Sequence, residues 1–236
     1  MIGNWFDCGL VDYQVAWAWQ RQLADARARN DLPDSVLALE HPHTYTLGSS
    51  GHLENLLMDE AERARRGVSV LQVDRGGDIT YHGPGQLVAY PIFYLGRPDQ
   101  SGRLPQADYV GFIRKLETVI IEAVRPFRIV SHREEGLTGA WVETPSGPEK
   151  IAAIGVKVTA GGVSMHGFAL NVNPDLDYFR GIIPCGIADK PVTSMAALLG
   201  NDCPSMAEMA NSLRVSFAST FEQEFQPTEL NELTQQ

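Results

Sequence analysis

The sequence predicts a mixed α/β fold of the α+β kind, a largely antiparallel sheet flanked by helices. Three observations predict it. Several short apolar runs crowd the middle of the chain, too many for a helix bundle. Two of them are joined through Ala160-Gly161-Gly162, a connection suited to a β-hairpin. Strands and helices do not alternate one to one, as a doubly wound parallel sheet requires.

The elements follow in order. Asp12 caps a helix reaching about Arg29, with Tyr13, Ala16, Trp17, Gln20 and Leu23 on one face. Residues 35–39 are a short apolar strand leading into Glu40-His41-Pro42-His43. Residues 55–66 read as a helix ended by Gly67 in a left-handed position. Residues 68–73 and 87–93 are strands with a glycine-rich loop between them. Over 107–124, Val110, Ile113, Leu116, Ile120 and Val124 recur at helical spacing, and Pro126 marks the end. Residues 151–158 and 163–172 form the hairpin. A last helix begins at Ser205 with Glu208 completing a capping box, and Met209, Leu213, Phe217 and Phe221 are its buried stripe. From Gln226 the chain is polar and is expected to fray.

Composition narrows the function classes. Of 236 residues, 44% are hydrophobic and 20% charged, as in an ordinary globular protein able to bury a core. The net charge of −10 argues against a nucleic-acid partner and against a basic helix on a membrane surface. No apolar run is long enough to span a bilayer. The start, Met1-Ile2-Gly3-Asn4-Trp5-Phe6-Asp7, lacks the basic flank and apolar stretch of a signal peptide. Cys8, Cys185 and Cys203 are odd in number and without Cys-x-x-Cys spacing, so neither a disulfide framework nor a structural zinc site is expected. The expected location is cytoplasmic, with reduced thiols. Two arginine groups, Arg21, Arg27, Arg29 and Arg63, Arg65, Arg66, Arg75, read as solvated faces.

Three segments have a composition that packing alone does not explain. The first is Arg75-Gly76-Gly77-Asp78-Ile79-Thr80-Tyr81-His82-Gly83-Pro84-Gly85-Gln86. Its glycines let backbone approach a ligand closely, and Arg, Asp, Tyr and His share the loop. It matches neither the phosphate loop nor the dinucleotide fingerprint. In the second, Lys150-Ile151-Ala152-Ala153-Ile154-Gly155, a lysine opens a strand whose small residues leave room above a sheet. In the third, Pro184-Cys185-Gly186 holds a cysteine in a turn, whereas Cys8 reads as an inert core thiol. Cys203, also in a turn, ranks second to Cys185 because no apolar run places it against a core or a cavity. His41, His43, His52, His82 and His166 lack metal-ligand spacing, so no metal is expected; His166 reads as satisfied by backbone beside the hairpin.

With His166-Gly167-Phe168-Ala169-Leu170-Asn171, Glu40-His41-Pro42 and Tyr45-Thr46-Leu47-Gly48, these segments closely resemble the lipoyl (octanoyl) transferases of the biotin/lipoate protein ligase superfamily. The likeness spans about residues 35–195 in matching order. It departs at Lys157, where arginine is common, and in a turn about one residue longer near Thr159 to Ser164.

The resemblance implies that superfamily's catalytic-domain fold over residues 1–236, with a core over about 30–222 and a polar tail over 226–236. It implies transfer of an octanoyl group from octanoyl-acyl carrier protein to a lysine of a lipoyl domain. The acceptors would be 2-oxoacid dehydrogenase E2 subunits and the glycine cleavage H protein, and no cofactor is implied. Cys185 would carry the acyl group as a thioester, with Lys150 lowering its pKa and acting as general acid and base. Arg75, Gly76, Gly77, Asp78, Ile79, Thr80, Tyr81, His82, Ala153, Ile154, Gly155, Gly167, Phe168 and Ala169 would bind substrate. Because the carrier protein is acidic and this chain is too, Arg63, Arg65 or Arg66 is expected to contribute to docking. The rival readings are an ATP-dependent lipoate or biotin ligase of the same fold, and a non-catalytic module that only holds a lipoyl group or carrier protein.

Overall fold

The computed structural model describes residues 2–96, 106–183 and 191–230, with the side chains of 106–108 left aside. In chain order the elements are β1 (Ile2–Leu10), α1 (Tyr13–Ala28), β2 (Ser35–Glu40), β3 (Thr44–Leu47), α2 (Glu60–Arg66), β4 (Ser69–Gln72), β5 (Ile79–His82) and β6 (Gln86–Ile92). They continue with α3 (Gln106–Val124), β7 (Ser131–His132), β8 (Ala140–Thr144), β9 (Gly147–Val158), β10 (Ser164–Asn171), α4 (Met195–Leu199), α5 (Met206–Phe221) and β11 (Glu224–Pro227).

Eight strands form the main sheet in the order β11-β1-β2-β6-β10-β9-β8-β7. From β2 to β7 every pairing is antiparallel; only β1 pairs in parallel, with β11 on one side and β2 on the other. A second sheet, β4-β3-β5, stands apart. The fold is thus the predicted helix-flanked, mostly antiparallel sheet.

Burial explains the layering. On one face α3 and α5 bring Phe112, Leu116, Ile120, Leu213 and Phe217 against Val36, Ala89, Ile151 and Phe168 of the sheet. On the other face α1 sets Ala16 and Leu23 against Leu37, Val88 and Tyr90. The small sheet has its own core of Tyr45, Ile79, Tyr81, Tyr178 and Phe179.

Helix ends follow local chemistry. The Asp12 carboxylate accepts from the backbone N–H groups of Gln14 (2.8 Å) and Val15 (3.3 Å). Ser205 and Glu208 form the reciprocal capping box. Replacing Ser205 by alanine is expected to cost about 1 kcal/mol and lower Tm by about 2–4 °C, read by thermal unfolding.

Several expectations are corrected. The helix expected over 55–66 starts only at Glu60, because Leu56 is extended, bridges Ile182, and Asp59 is the true cap; Gly67 does close it at φ 65°. The glycine-rich loop contains β5, an alternating strand too short to show between glycines. Lys150 lies inside β9 rather than opening it. Gln226 does not fray but sits in β11, paired with Asn4. Arg27 is buried and bonded to Asp34 at 2.7 Å, and Arg75 is buried too, so neither is a solvated face. Cys203 packs against the main core, and burial raises its pKa. No helix among the described residues is long and apolar enough to cross a membrane.

Candidate active site

A narrow, mostly apolar slot runs between the α1-side face of the main sheet and the small sheet with its Arg75–Gly77 approach. Strand register makes its floor. Ala169 faces Val88 on β6 and Ala153 on β9, and Gly167 faces Gly155. Residues two apart on a strand share a face, so Ala153 with Gly155, Ala169 with Gly167 and Val88 with Tyr90 form two successive rows. Ile154 and Phe168 border the slot through backbone, because their side chains pack in the main core.

The roof comes from Arg75, Gly76, Gly77, Thr80 and His82. Arg75 is fixed to the small sheet, where Nη2 donates to Thr46 Oγ1 (2.8 Å), and to its own loop, where Nη1 donates to the Gly76 carbonyl (3.0 Å). Asp78, Ile79 and Tyr81 belong to the same segment but turn elsewhere. Asp78 accepts from the N–H groups of His52 (3.0 Å) and Ile79 (2.7 Å), while Ile79 and Tyr81 fill the small core.

Tyr13, Val88, Tyr90 and His166 also line the slot, and sequence reasoning missed them. Val88 and Tyr90 were within reach, since they alternate on a strand that borders the glycine-rich segment. Tyr13 was legible only as a helix-face residue and His166 only as the first residue of its motif; their relation, across 153 residues of chain, gave no signal.

A hydrogen-bonded network closes the end of the slot near Tyr90. Nε2–H of His166 donates to Asp74 (2.8 Å), so its Nδ1 accepts from the Tyr13 hydroxyl (3.3 Å). His166 is therefore held by side chains and not by backbone; its own N–H donates to Gln20 Oε1 (2.7 Å), and its φ of 56° is unusual for a strand residue. Burial alone would raise the Asp74 carboxyl, but Lys157 and His166 outweigh it and hold the pKa below its usual value. Nδ1–H of His41 donates to the Val11 carbonyl (2.7 Å), and its Nε2 accepts from the Tyr90 hydroxyl (2.7 Å). Burial lowers the pKa of both His41 and His166 to about 4, and holds His82 neutral as well.

This has a consequence for stability. The folded-state values lie below the ordinary 6.5, so the unfolded chain takes up protons that the native chain refuses. The stability contributed by neutral burial is complete above pH 6.5 and is lost as pH falls toward 4. Tm is therefore expected to be flat above about pH 7 and to decline below it; a Tm constant down to about pH 5 would contradict neutral burial.

Lys150 stands at the other end. It lines a second, smaller cavity with Gln86, Asn171, Phe179 and Val192, and this cavity shares Thr80, Ala153 and Ala169 with the slot. The two therefore adjoin at these three residues. Lys150 N–H donates to the Pro191 carbonyl, and its own carbonyl accepts from Thr193 N–H, both at 2.9 Å. On the other flank, Ile183 N–H donates to the Asn55 carbonyl (2.8 Å). Cys185, with Pro184 and Gly186, lies in residues 184–190, outside the described residues. Cys8 is half-buried, and burial pushes its thiol up to about 12, which suits an inert cysteine. Among the described residues no group of three or more His, Cys, Asp or Glu is placed to hold a metal ion.

Comparison with known proteins gives the family. Residues 12–218 match the lipoyl protein ligase A/B catalytic domain. An octanoyltransferase of Chloroflexus aggregans is 48% identical over 217 residues, covering 92% of this chain and 94% of its own. One from Roseiflexus is 46% identical over 219 residues, covering 93% and 87%. Among solved structures, lipoate-protein ligase A bound with ATP shares the fold with a TM-score of 0.77 at 15% identity, covering 99% of this chain and 91% of that one. The bipartite lipoate protein ligase of Thermoplasma acidophilum does so with 0.74 at 16%, covering 99% and 89%. The chain therefore belongs to the lipoyl protein ligase A/B catalytic-domain family, and within it to the octanoyltransferase group.

Proposed function

We propose that this chain, acting as one catalytic domain in the cytoplasm, moves an octanoyl group from octanoyl-acyl carrier protein to a lysine of lipoyl domains. The acceptors are the domains of 2-oxoacid dehydrogenase E2 subunits and the glycine cleavage H protein, and the step opens protein lipoylation. The relatives' name supports the acyl group transferred. The observation that carries the reading is the apolar slot and, adjoining it, the cavity lined by Lys150, whose strand is paired with the residues that follow 184–190.

Dimensions agree with an eight-carbon chain. From Asn171 to Gly167 the floor spans four strand residues, about 13 Å at roughly 3.3 Å each. An extended octanoyl chain has seven C–C bonds of about 1.5 Å in a zigzag, about 9 Å in all. Its thioester carbon would lie toward Lys150 and its methyl toward Gly155 and Gly167.

The chemistry needs no ATP, because one thioester is exchanged for another. A free thiol has a pKa of about 8.5, and a neighbouring ammonium lowers it by roughly one to three units. The Cys185 thiolate attacks the carbonyl of the donor thioester; the C–S bond to the carrier breaks, and the carrier leaves as its thiol with the proton of the Lys150 ammonium. Acylated Cys185 has no negative charge to draw a proton back onto Lys150, so the neutral lysine takes one from the attacking amine and passes it to the Cys185 sulfur as the acyl C–S bond breaks. The amide forms and the Cys185 thiol is restored.

Of the three arginines proposed for docking, two already share one carboxylate. Arg65 and Arg66 both pair with Glu62 (2.6 and 3.0 Å), and Arg63 donates to the Met58 carbonyl.

One experiment separates the readings. The protein is incubated with octanoyl-acyl carrier protein without ATP, and its intact mass is recorded. A single octanoyl adduct that Cys185→Ser abolishes supports the transferase. Loading or turnover of free acid only with ATP would make it a ligase, and no adduct under any condition would make it a binding module.

A further inference from the structure

Among the described residues Trp141 heads the fully buried side chains by volume. Its neighbours on β8, Ala140 and Val142, point into the main core beneath α3. Strand alternation therefore turns Trp141 to the opposite face of the sheet, the face of the slot. On that face it meets one side chain of chemical interest.

The register across β8 and β9 shows which. Ala140 faces Ala152, but Trp141 faces Lys150, so Ile151 is one residue extra on β9. Such a bulge re-aims the side chains beside it. Ile151 stays in the main core while Lys150 comes to stand over Trp141. The lysine Nζ lies 4.7 Å from the centre of the indole ring. Gly139 completes the arrangement. At φ 124°, it takes a conformation that side-chain-bearing residues rarely adopt, and a Cβ there would lie 2.5 Å from the Ala152 carbonyl oxygen and 3.6 Å from Lys150 Cε. A bare backbone thus lets the lysine stem run along it.

We infer that Trp141 is the positioning residue of Lys150, its indole face holding the ammonium at the mouth of the slot through a cation–π contact. The inference rests on the role given to Lys150 above. A lysine has a long flexible stem and a compact charge, so without a fixed surface it spreads over many rotamers. The face of an indole attracts a cation, and most strongly where water is excluded. The ring also favours the charged form, which is the form that acidifies a nearby thiol. Loss of the ring lets the ammonium stray, and the Cys185 thiol then titrates at a higher pH.

The test reads the alkylation rate of Cys185 with iodoacetamide against pH in the full-length protein, with Cys8 and Cys203 separated by peptide mass mapping. Trp141→Leu is expected to move the Cys185 midpoint up by about one pH unit, a loss of about tenfold in rate near neutrality. Trp141→Phe, which keeps an aromatic face, is expected to recover much of that loss. Where Trp141→Leu does not fold, global incorporation of 5-fluorotryptophan weakens the ring's attraction for a cation and nearly keeps its shape; the midpoint is again expected to rise. Lys150→Ala identifies the level at which a failure occurs. If Lys150→Ala moves the midpoint and neither the folded Trp141 variants nor the fluorinated protein does, the inference is overturned and the role of Lys150 stands. If Lys150→Ala leaves it unmoved, the underlying role falls and the inference with it. Equal damage from Trp141→Phe and Trp141→Leu would reduce Trp141 to packing and would also overturn it.

Discussion

Lys150→Ala is expected to slow octanoyl transfer by about 10²–10⁴-fold, the range typical of losing a positioned acid–base group. Both half-reactions should suffer. Loading slows because the thiol loses the cation that favours its thiolate, and transfer slows because the incoming amine loses its base. Rapid quench separates the two: acyl-enzyme is trapped in the first and lipoyl-domain product in the second. The acid limb of the loading rate should also move to higher pH, since thiolate then forms only near the ordinary thiol range. The fold should survive. Lys150 is half-buried, and the backbone hydrogen bonds that tie it to Pro191 and Thr193 do not depend on its side chain. A Lys150→Ala enzyme with unchanged loading and transfer rates would remove Lys150 from the mechanism.

Gly155→Val should act at the opposite end of the slot. A Cβ at position 155 would lie 2.9 Å from the Gly76 carbonyl oxygen and 3.2 Å from Arg75 Cδ, so the added atoms fill the gap between sheet and roof. Overpacking of this kind costs about 1–3 kcal/mol of stability, which a domain can absorb. Its cost to an eight-carbon chain is larger, because the methyl end then has no room. Octanoyl loading is expected to fall by about 100-fold, equivalent to about 2.7 kcal/mol. Butanoyl loading should change far less, since a short chain ends before the Gly155 row. The ratio of octanoyl to butanoyl loading therefore reads the effect without interference from a partly unfolded fraction. An unchanged ratio would mean that the acyl chain runs elsewhere.

These two residues show what the sequence made legible. Lys150 and Gly155 sit on a strand whose small residues leave space, and that spacing is written locally. So are the Asp12 cap of α1, the Ser205–Glu208 capping box and the β9–β10 hairpin, each set by residues within a few positions of one another. What stayed hidden depends on partners far along the chain. β1 is flanked by β2 and β11, and its pattern of exposure is too irregular to announce a strand. The neutral histidine network needs Tyr13, His41, Tyr90 and His166 brought together from three elements and a loop, and no local rule pairs them. Trp141 reads as ordinary core until the bulge beside Ile151 is seen to face it toward Lys150.

The parallel pairing of β1 with β11 sets a condition on how the protein is made. This strand gains its outer neighbour from residues 224–227, which are synthesised more than two hundred residues after it. Until then one side of β1 presents unpaired N–H and C=O groups, a template that another nascent chain could join. A chain cut short before Glu224 would keep its slot and its lysine but carry that open edge permanently. Such a truncation should therefore show itself first as self-association, before any loss of chemistry.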